Sequence, residues 1–428
     1  MRFDSLQAWL DWQETLHASK IELGLGRVAE VYHRLHEAAP PFCAITVAGT
    51  NGKGSSAAML AEILRAAGYC TGLYSSPHLF RYNERIRIDG EAATDESICD
   101  AFERVDQARG DVTLTYFEFG TLAALDLFMR EGLDVAVLEV GMGGRLDAVN
   151  IVDPDVALIT AIGVDHTDWL GSDRESIARE KGGIMRPGCP AVCSDPHVPR
   201  ALEVLAASSG TELYQLGKEY GFSDAGREWS WWCEDLRYES LPHPALRGAH
   251  QLQNAAGVLM ALKLVAGRLP VPRAAVRAGL LAVQLPGRFE VVSGEVTRVL
   301  DVAHNPDGAR ALAAALAGWS VAGKTRAVVG VLADKDISGL LAPMLAQVDA
   351  WYLADLNVAR GASADDLAHA LAALDVETLD TPVQCFPGPH SALRAAAADS
   401  DSGDRIVVFG SFHTVEACAG SEAGILPP

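Results

Sequence analysis

Short, nearly continuous apolar runs recur along the 428-residue chain, and most are followed by stretches where apolar residues return every three or four positions. The run starting Ala44-Ile45-Thr46-Val47 and those at Cys70–Tyr74, Asp134–Val140 and Val156–Ile162 predict strands. Their uninterrupted apolar character is that of a parallel sheet covered on both faces. Helices are predicted from the stripes Leu6, Trp9, Leu10, Leu16 and Val28, Val31, Tyr32, Leu35, at about 94–108 and 116–130, after an Asp173 cap, and from His250 to about Ala266. Pro286-Gly287 marks a boundary, after which the alternation restarts. Strands are expected at Thr297–Val302, Arg326–Leu332, 351–354 and Arg405–Phe409, with helices at 307–317, 337–347, about 364–373 and about 389–397. Residues 195–247, rich in Trp and Gly, suggest a small antiparallel excursion. The fold class is therefore α/β: a large N-terminal domain (1–286) with a mostly parallel sheet, and a smaller α/β domain (287–428).

Composition narrows the function. An apolar content of 49% with 21% charged residues is ordinary for a globular protein. A formal charge of −21 argues against nucleic acid, because the overall field repels phosphate and any anionic ligand must be met by local cations or metal. No apolar run is long enough to span a bilayer and no basic-then-apolar leader opens the chain, so a cytoplasmic protein without a membrane partner is expected, as a monomer. The eight cysteines form no CxxC pair and read as reduced, structural thiols.

The chemistry concentrates at strand ends. Gly49-Thr50-Asn51-Gly52-Lys53-Gly54-Ser55 joins a strand to a helical pattern, the arrangement that presents backbone N–H groups and a helix N-terminus to phosphate. Its glycines let the backbone approach the phosphates, Lys53 can reach the terminal ones, and Ser55 can offer a hydroxyl to magnesium. Glu139 interrupts an apolar run at its carboxyl end, where open α/β sheets bind ligands. It calls for a metal or a cation such as Arg145. Asp301 and His304 straddle another strand end, and Pro77 holds Ser76 extended.

The loop resembles that of the Mur-ligase superfamily and is closest to folylpolyglutamate synthase. Ser75-Ser76-Pro77-His78-Leu79 with Asn83-Glu84-Arg85, Gly141–Ala148, Asp165–Gly171, Arg179-Glu180-Lys181-Gly182-Gly183, His250–Ala256, Gly287-Arg288-Phe289 and Asp301–Pro306 follow in the family's order. Leu114-Thr115-Tyr116-Phe117-Glu118 and the run from Asp165 to Ser176 resemble the bifunctional dihydrofolate synthase/folylpolyglutamate synthase branch. The resemblance implies an N-terminal domain of the phosphate-loop (P-loop) ATPase type and a Rossmann-like C-terminal α/β domain, with ATP-dependent addition of L-glutamate to dihydropteroate and to tetrahydrofolate polyglutamates through an acyl phosphate. It implies ATP contacts at Asn51, Gly52, Lys53, Gly54, Ser55, Asn254, Arg288 and Asp301. Two magnesium ions are implied at Ser76, Glu139, His166 and a carbamylated Lys181. Substrate contacts are implied at Ile21, Glu22, Leu23, Gly24, Thr115, Tyr116, Phe117, Leu146, Asp147 and Ala148, with His304 as a candidate to deprotonate the amine. A monofunctional folylpolyglutamate synthase would share nearly every motif. A peptidoglycan Mur ligase would need an extra N-terminal domain, and about forty residues precede the first strand, too few for one. A nucleotide switch would need a guanine-reading Asn-Lys-x-Asp, which is absent from the sequence.

Overall fold

The computed structural model describes residues 2–374 and 381–419, so 375–380 and 420–428 of the second predicted domain lie outside the described residues. Two compact units emerge, one of Met1–Ala245 with Gln251–Gln284 and one of Leu246–His250 with Leu285–Pro428.

The first unit is built on β1 (Cys43–Ala48), β2 (Thr71–Tyr74), β3 (Ile86–Ile88), β4 (Glu91–Ala92), β5 (Val135–Glu139), β6 (Val156–Ile159), β7 (Ala191–Cys193) and β8 (Leu213–Gln215). They form one eight-stranded sheet in the order β4-β3-β2-β5-β1-β6-β7-β8. From β2 to β8 all neighbours are parallel, and β3 and β4 add an antiparallel edge. Strands β1, β5 and β6 are buried along their whole length, as their unbroken apolar runs require. Their carboxyl ends lie side by side, because β1 pairs with β5 on one side and β6 on the other. That register sets the phosphate loop, Glu139 and the segment after Ile159 next to one another. An aromatic cluster of Trp9, Phe102 and Phe119, all fully buried, ties the first helix to the helices Asp95–Arg109 and Tyr116–Glu131.

The 195–247 stretch differs from its reading as a single excursion. It begins with a helix, Arg200–Ser209, and β8 then joins the main sheet in parallel. Only β9 (Tyr220–Asp224), β10 (Glu228–Cys233) and β11 (Arg237–Pro242) make a separate antiparallel sheet, held by the buried indoles of Trp229 and Trp231.

The second unit carries β12 (Glu290–Val292), β13 (Thr297–Leu300), β14 (Thr325–Val329), β15 (Ala350–Ala354), β16 (Val383–Phe386) and β17 (Arg405–Phe409), ordered β12-β13-β17-β14-β15-β16. All pairings are parallel except β12 with β13. The edge strands β12 and β16 escape prediction because neither carries a buried apolar run. The helix expected over 337–347 stops at Leu341 and continues as a 3-10 turn, Ala342–Gln347, since Pro343 has no N–H for the α-helical ladder.

Candidate active site

β1 ends at Ala48, and the loop after it is clamped by the segment that follows β6. Thr50 N donates to Ala161 O at 2.8 Å, and Thr160 Oγ1 donates to Asn51 O at 2.8 Å. A side chain at Gly49, where φ is 153°, would put its first carbon 1.8 Å from Thr160 Oγ1. Gly52, at φ 88°, is the helix cap, and its missing Cβ leaves room for Asn254 Oδ1. No side chain caps the helix Lys53–Ala66, so its first N–H groups and its dipole face the loop's concavity. Lys53 Nζ donates to Gly49 O at 3.0 Å and to Thr50 O at 3.3 Å. Ser55 is buried and its hydroxyl accepts from Gln251 Nε2 at 3.3 Å, so it faces the helix His250–Leu264. Asn254 lies buried on that helix, bonded to Gln251 at 3.0 Å and packed under Gly52. Thr160 and Gln251 were not singled out from sequence. Thr160 carries the same signal as Glu139, a polar residue ending an apolar run.

Glu139 is 4% exposed at the carboxyl end of β5, and its Oε2 accepts from Ser76 N at 3.2 Å. Arg145, the alternative partner, is bonded to Glu180 instead. His166 sits in the left-handed region (φ 52°) on an exposed loop, with Nε2 4.0 Å from Asp165 Oδ2. Among the described residues no three His, Cys, Asp or Glu side chains converge as an ion cage. The donor set at this corner is a hydroxyl and a carboxylate. That suits magnesium, which keeps several waters and takes one or two protein carboxylates plus phosphate oxygens.

Lys181, on the helix Arg174–Gly182 capped by Asp173, is 4% exposed and donates from Nζ to Gly49 O at 2.7 Å. Two lysine amino groups therefore converge on one carbonyl of the phosphate loop. Burial, then the nearby Lys53 charge, push the Lys181 amine well below its usual value, while Asp165 and Asp147 oppose the shift.

Asp147 is buried and shapes the glycine-rich loop by accepting from Met142 N at 2.9 Å and Val149 N at 3.0 Å. Burial raises its carboxyl from 3.8 to about 6, against those N–H groups and Lys53. The folded state thus binds this proton more tightly than the unfolded chain does. The cost of ionising it appears as pH rises from about 4 through about 6, and reaches ~3 kcal/mol above that window. Asp147→Asn cannot ionise. Its urea midpoint should gain on the wild type between pH 4 and 7, and a gap that is constant with pH would refute the assignment.

The substrate-side segments also meet. Gly24 N donates to Leu146 O at 3.3 Å, joining the Ile21–Gly24 loop to Leu146-Asp147-Ala148. His17 and Arg27 both hold Glu22, and Arg27 also reaches the buried Glu118 at 2.9 Å. Ile21 is exposed and Leu23 half-buried. Thr115 caps the helix Tyr116–Glu131 in a box with Glu118, and Phe117 lies 6.0 Å from the Tyr74 ring.

In the second unit Asp301 accepts from Phe289 N and Ala303 N, both at 2.8 Å. Desolvation raises its carboxyl and the Arg288 charge opposes that. The Arg288 guanidinium lies 5.1 Å from the Phe412 ring, and His304 lies 6.2 Å from the same ring. His304 Nδ1 is 2.9 Å from Val302 O; a carbonyl only accepts, so Nδ1 carries the proton and Nε2 is the basic nitrogen of the neutral ring. Asp301 and His304 follow β13 and Phe412 follows β17, at carboxyl ends where such sheets bind ligands, and Arg288 precedes β12, whose Glu290 pairs with Leu300 at the end of β13.

A Mur ligase middle domain is matched over residues 47–262 and a Mur ligase glutamate ligase domain over 287–412. The chain is 44% identical over 410 residues to the dihydrofolate synthase/folylpolyglutamate synthase of Escherichia coli (strain K12), covering 96% of this chain and 94% of that one. It belongs to this family of Mur ligases. The structure of E. coli FolC in complex with DHPP and ADP superposes with a TM-score of 0.92 at 44% identity, over 97% of both chains. A bifunctional folylpolyglutamate synthase/dihydrofolate synthase with Mn, AMPPNP and L-glutamate bound gives 0.89 at 47% identity, over 98% of both. The fold read from sequence is thus that of the family. No helix among the described residues is long and apolar enough to cross a membrane.

Proposed function

We propose that this chain is an ATP-dependent ligase that joins L-glutamate first to dihydropteroate and then to tetrahydrofolate and its polyglutamates. The observation that carries the reading is the meeting of Lys53 and Lys181 on Gly49 O, beside an uncapped helix N-terminus and the buried Glu139. In a chain of charge −21, the Lys53 ammonium, the N–H groups of the helix start and a buried carboxylate placed to hold a divalent cation suit a nucleotide triphosphate and a second anion held together.

In the reaction an oxygen of the acceptor carboxylate attacks the γ-phosphorus and the bond to the β-γ bridging oxygen breaks. ADP leaves and an acyl phosphate forms. The glutamate amine, after losing a proton, attacks the acyl carbon and expels inorganic phosphate. Lys53 is assigned to the β- and γ-phosphates and the loop N–H groups of Gly52, Gly54 and Ser55 to the phosphate chain, beside Asn51, whose own N–H donates to Ala161 O at 3.3 Å. Asn254, Arg288 and Asp301 are assigned to the remainder of the nucleotide, and His304 Nε2 to the amine proton. Ser76, Glu139, His166 and a carbamylated Lys181 would hold the two divalent ions, whose charge offsets the two reacting anions. The joined Ile21–Gly24 and Leu146–Ala148 segments, with Thr115, Tyr116 and Phe117, are assigned to the pterin acceptor. Their presence supports the bifunctional over the monofunctional reading, as does the name of the E. coli relative.

The test is ADP release by purified protein against each acceptor. Release should depend on glutamate with both dihydropteroate and tetrahydrofolate. Release with tetrahydrofolate alone would assign the monofunctional activity instead.

A further inference from the structure

Arg85 has no place in the assignments above, yet it is built into the site's wall. It ends the turn Tyr82–Arg85 and its carbonyl accepts from Ser75 N at 2.9 Å, which fixes it beside Ser76. Its Nε donates to His78 Nδ1 at 2.8 Å. Its guanidinium carbon lies 5.3 Å from the Tyr82 ring centroid and 5.5 Å from that of Tyr116, two rings set edge to face at 5.8 Å. One N–H and two aromatic rings therefore hold the plane of the group, and the remaining N–H donors form a fork of fixed direction.

What is missing is a counter-charge. Among the described residues no carboxylate pairs with Arg85, although three other arginines of the first unit are committed: Arg27 to Glu22 and Glu118, Arg145 to Glu180, Arg174 to Asp195. The adjacent acid, Glu84, is spent on the backbone N–H groups of Leu79, Phe80 and Arg81. In an acidic chain a half-buried, pre-oriented guanidinium without an acid is an anion receptor. Its surroundings say which anion. The phosphates have the Gly49–Ser55 loop and Lys53, whereas Arg85 stacks on Tyr116 at the start of the helix assigned to the acceptor.

We propose that Arg85 binds the carboxylate of the acceptor and holds it beside Ser76 until it is phosphorylated, with His78, Tyr82 and Tyr116 positioning the fork. The inference rests on the proposed ligase reading. It assigns Arg85 to the acceptor rather than to ATP or glutamate.

The experiment measures dihydropteroate and its carboxamide, equal in shape but uncharged, binding to wild type and to Arg85→Ala and Arg85→Lys in the presence of ADP. Wild type should prefer the acid by about thirtyfold, a preference that falls below about threefold in Arg85→Ala. Arg85→Lys should keep only part of it, since an ammonium cannot form the two-point contact. Affinity for ADP and the thermal midpoint should be unchanged in the lysine variant. An acid-over-amide preference retained in Arg85→Ala would overturn the proposal while leaving the ligase reading intact. Absence of dihydropteroate binding by wild type would instead remove the reading on which it rests.

Discussion

Lys181→Ala should lower turnover about a thousandfold without unfolding the protein, and a small added carboxylate should restore part of it, whereas Lys181→Arg should do no better. The reason is electrostatic. An ammonium at Lys181 would stand beside the Lys53 charge and the site assigned to divalent cations, in a pocket where only 4% of the residue meets solvent. Burial favours the neutral amine. That amine can add carbon dioxide: a nitrogen–carbon bond forms, a proton leaves to solvent, and the product is a carbamate anion with two hard oxygens. The change would convert a repelled cation into a magnesium ligand. No acid lies three or four positions from Lys181 along the chain, where Ala178, Ile177, Ile184 and Met185 stand, so a helical ion pair gives no competing account. Arginine stays charged and cannot carry the carbamate. Turnover at wild-type level in Lys181→Arg, or loss of none of it on removing bicarbonate and carbon dioxide, would contradict this.

Lys53→Ala should cost about as much, at least a hundredfold in kcat, with a smaller effect on acceptor affinity. Lys53 reaches back to Gly49 O and Thr50 O, so its ammonium already sits over the concavity into which the phosphates would project. Glu139→Gln should behave alike, because the buried carboxylate, which accepts from Ser76 N at 3.2 Å, is the group assigned to the divalent cation and an amide brings no charge to it. Near-normal ligase activity in either variant, measured by glutamate incorporation, would sink the shared nucleotide–metal centre.

What the sequence made legible follows from physics that acts locally. The phosphate loop could be read because a strand, three glycines and a lysine must be contiguous to cradle phosphate. Glu139 stood out because a charge at the end of a buried run needs a metal or a cationic side chain beside it. The convergence of Lys181 with Lys53 on Gly49 O could not, since residues 132 positions apart are joined only by the sheet order. The same holds for the bond between Gly24 and Leu146, and for Gln251 on Ser55. Arg85 stayed hidden for a different reason. A sequence shows an arginine but not the absence of an acid around it. The edge strands β12 and β16 were missed because pairing with one neighbour, rather than an apolar run, is what makes them strands.

The central claim is that the acceptor's carboxylate is phosphorylated before the amide forms. Dihydropteroate with both carboxylate oxygens replaced by a heavy isotope, turned over with ATP and glutamate, tests it most directly. The account predicts that each inorganic phosphate released carries one heavy oxygen, the atom that bridged carbon and phosphorus in the acyl phosphate. Phosphate released at the rate of amide formation without the label would contradict it.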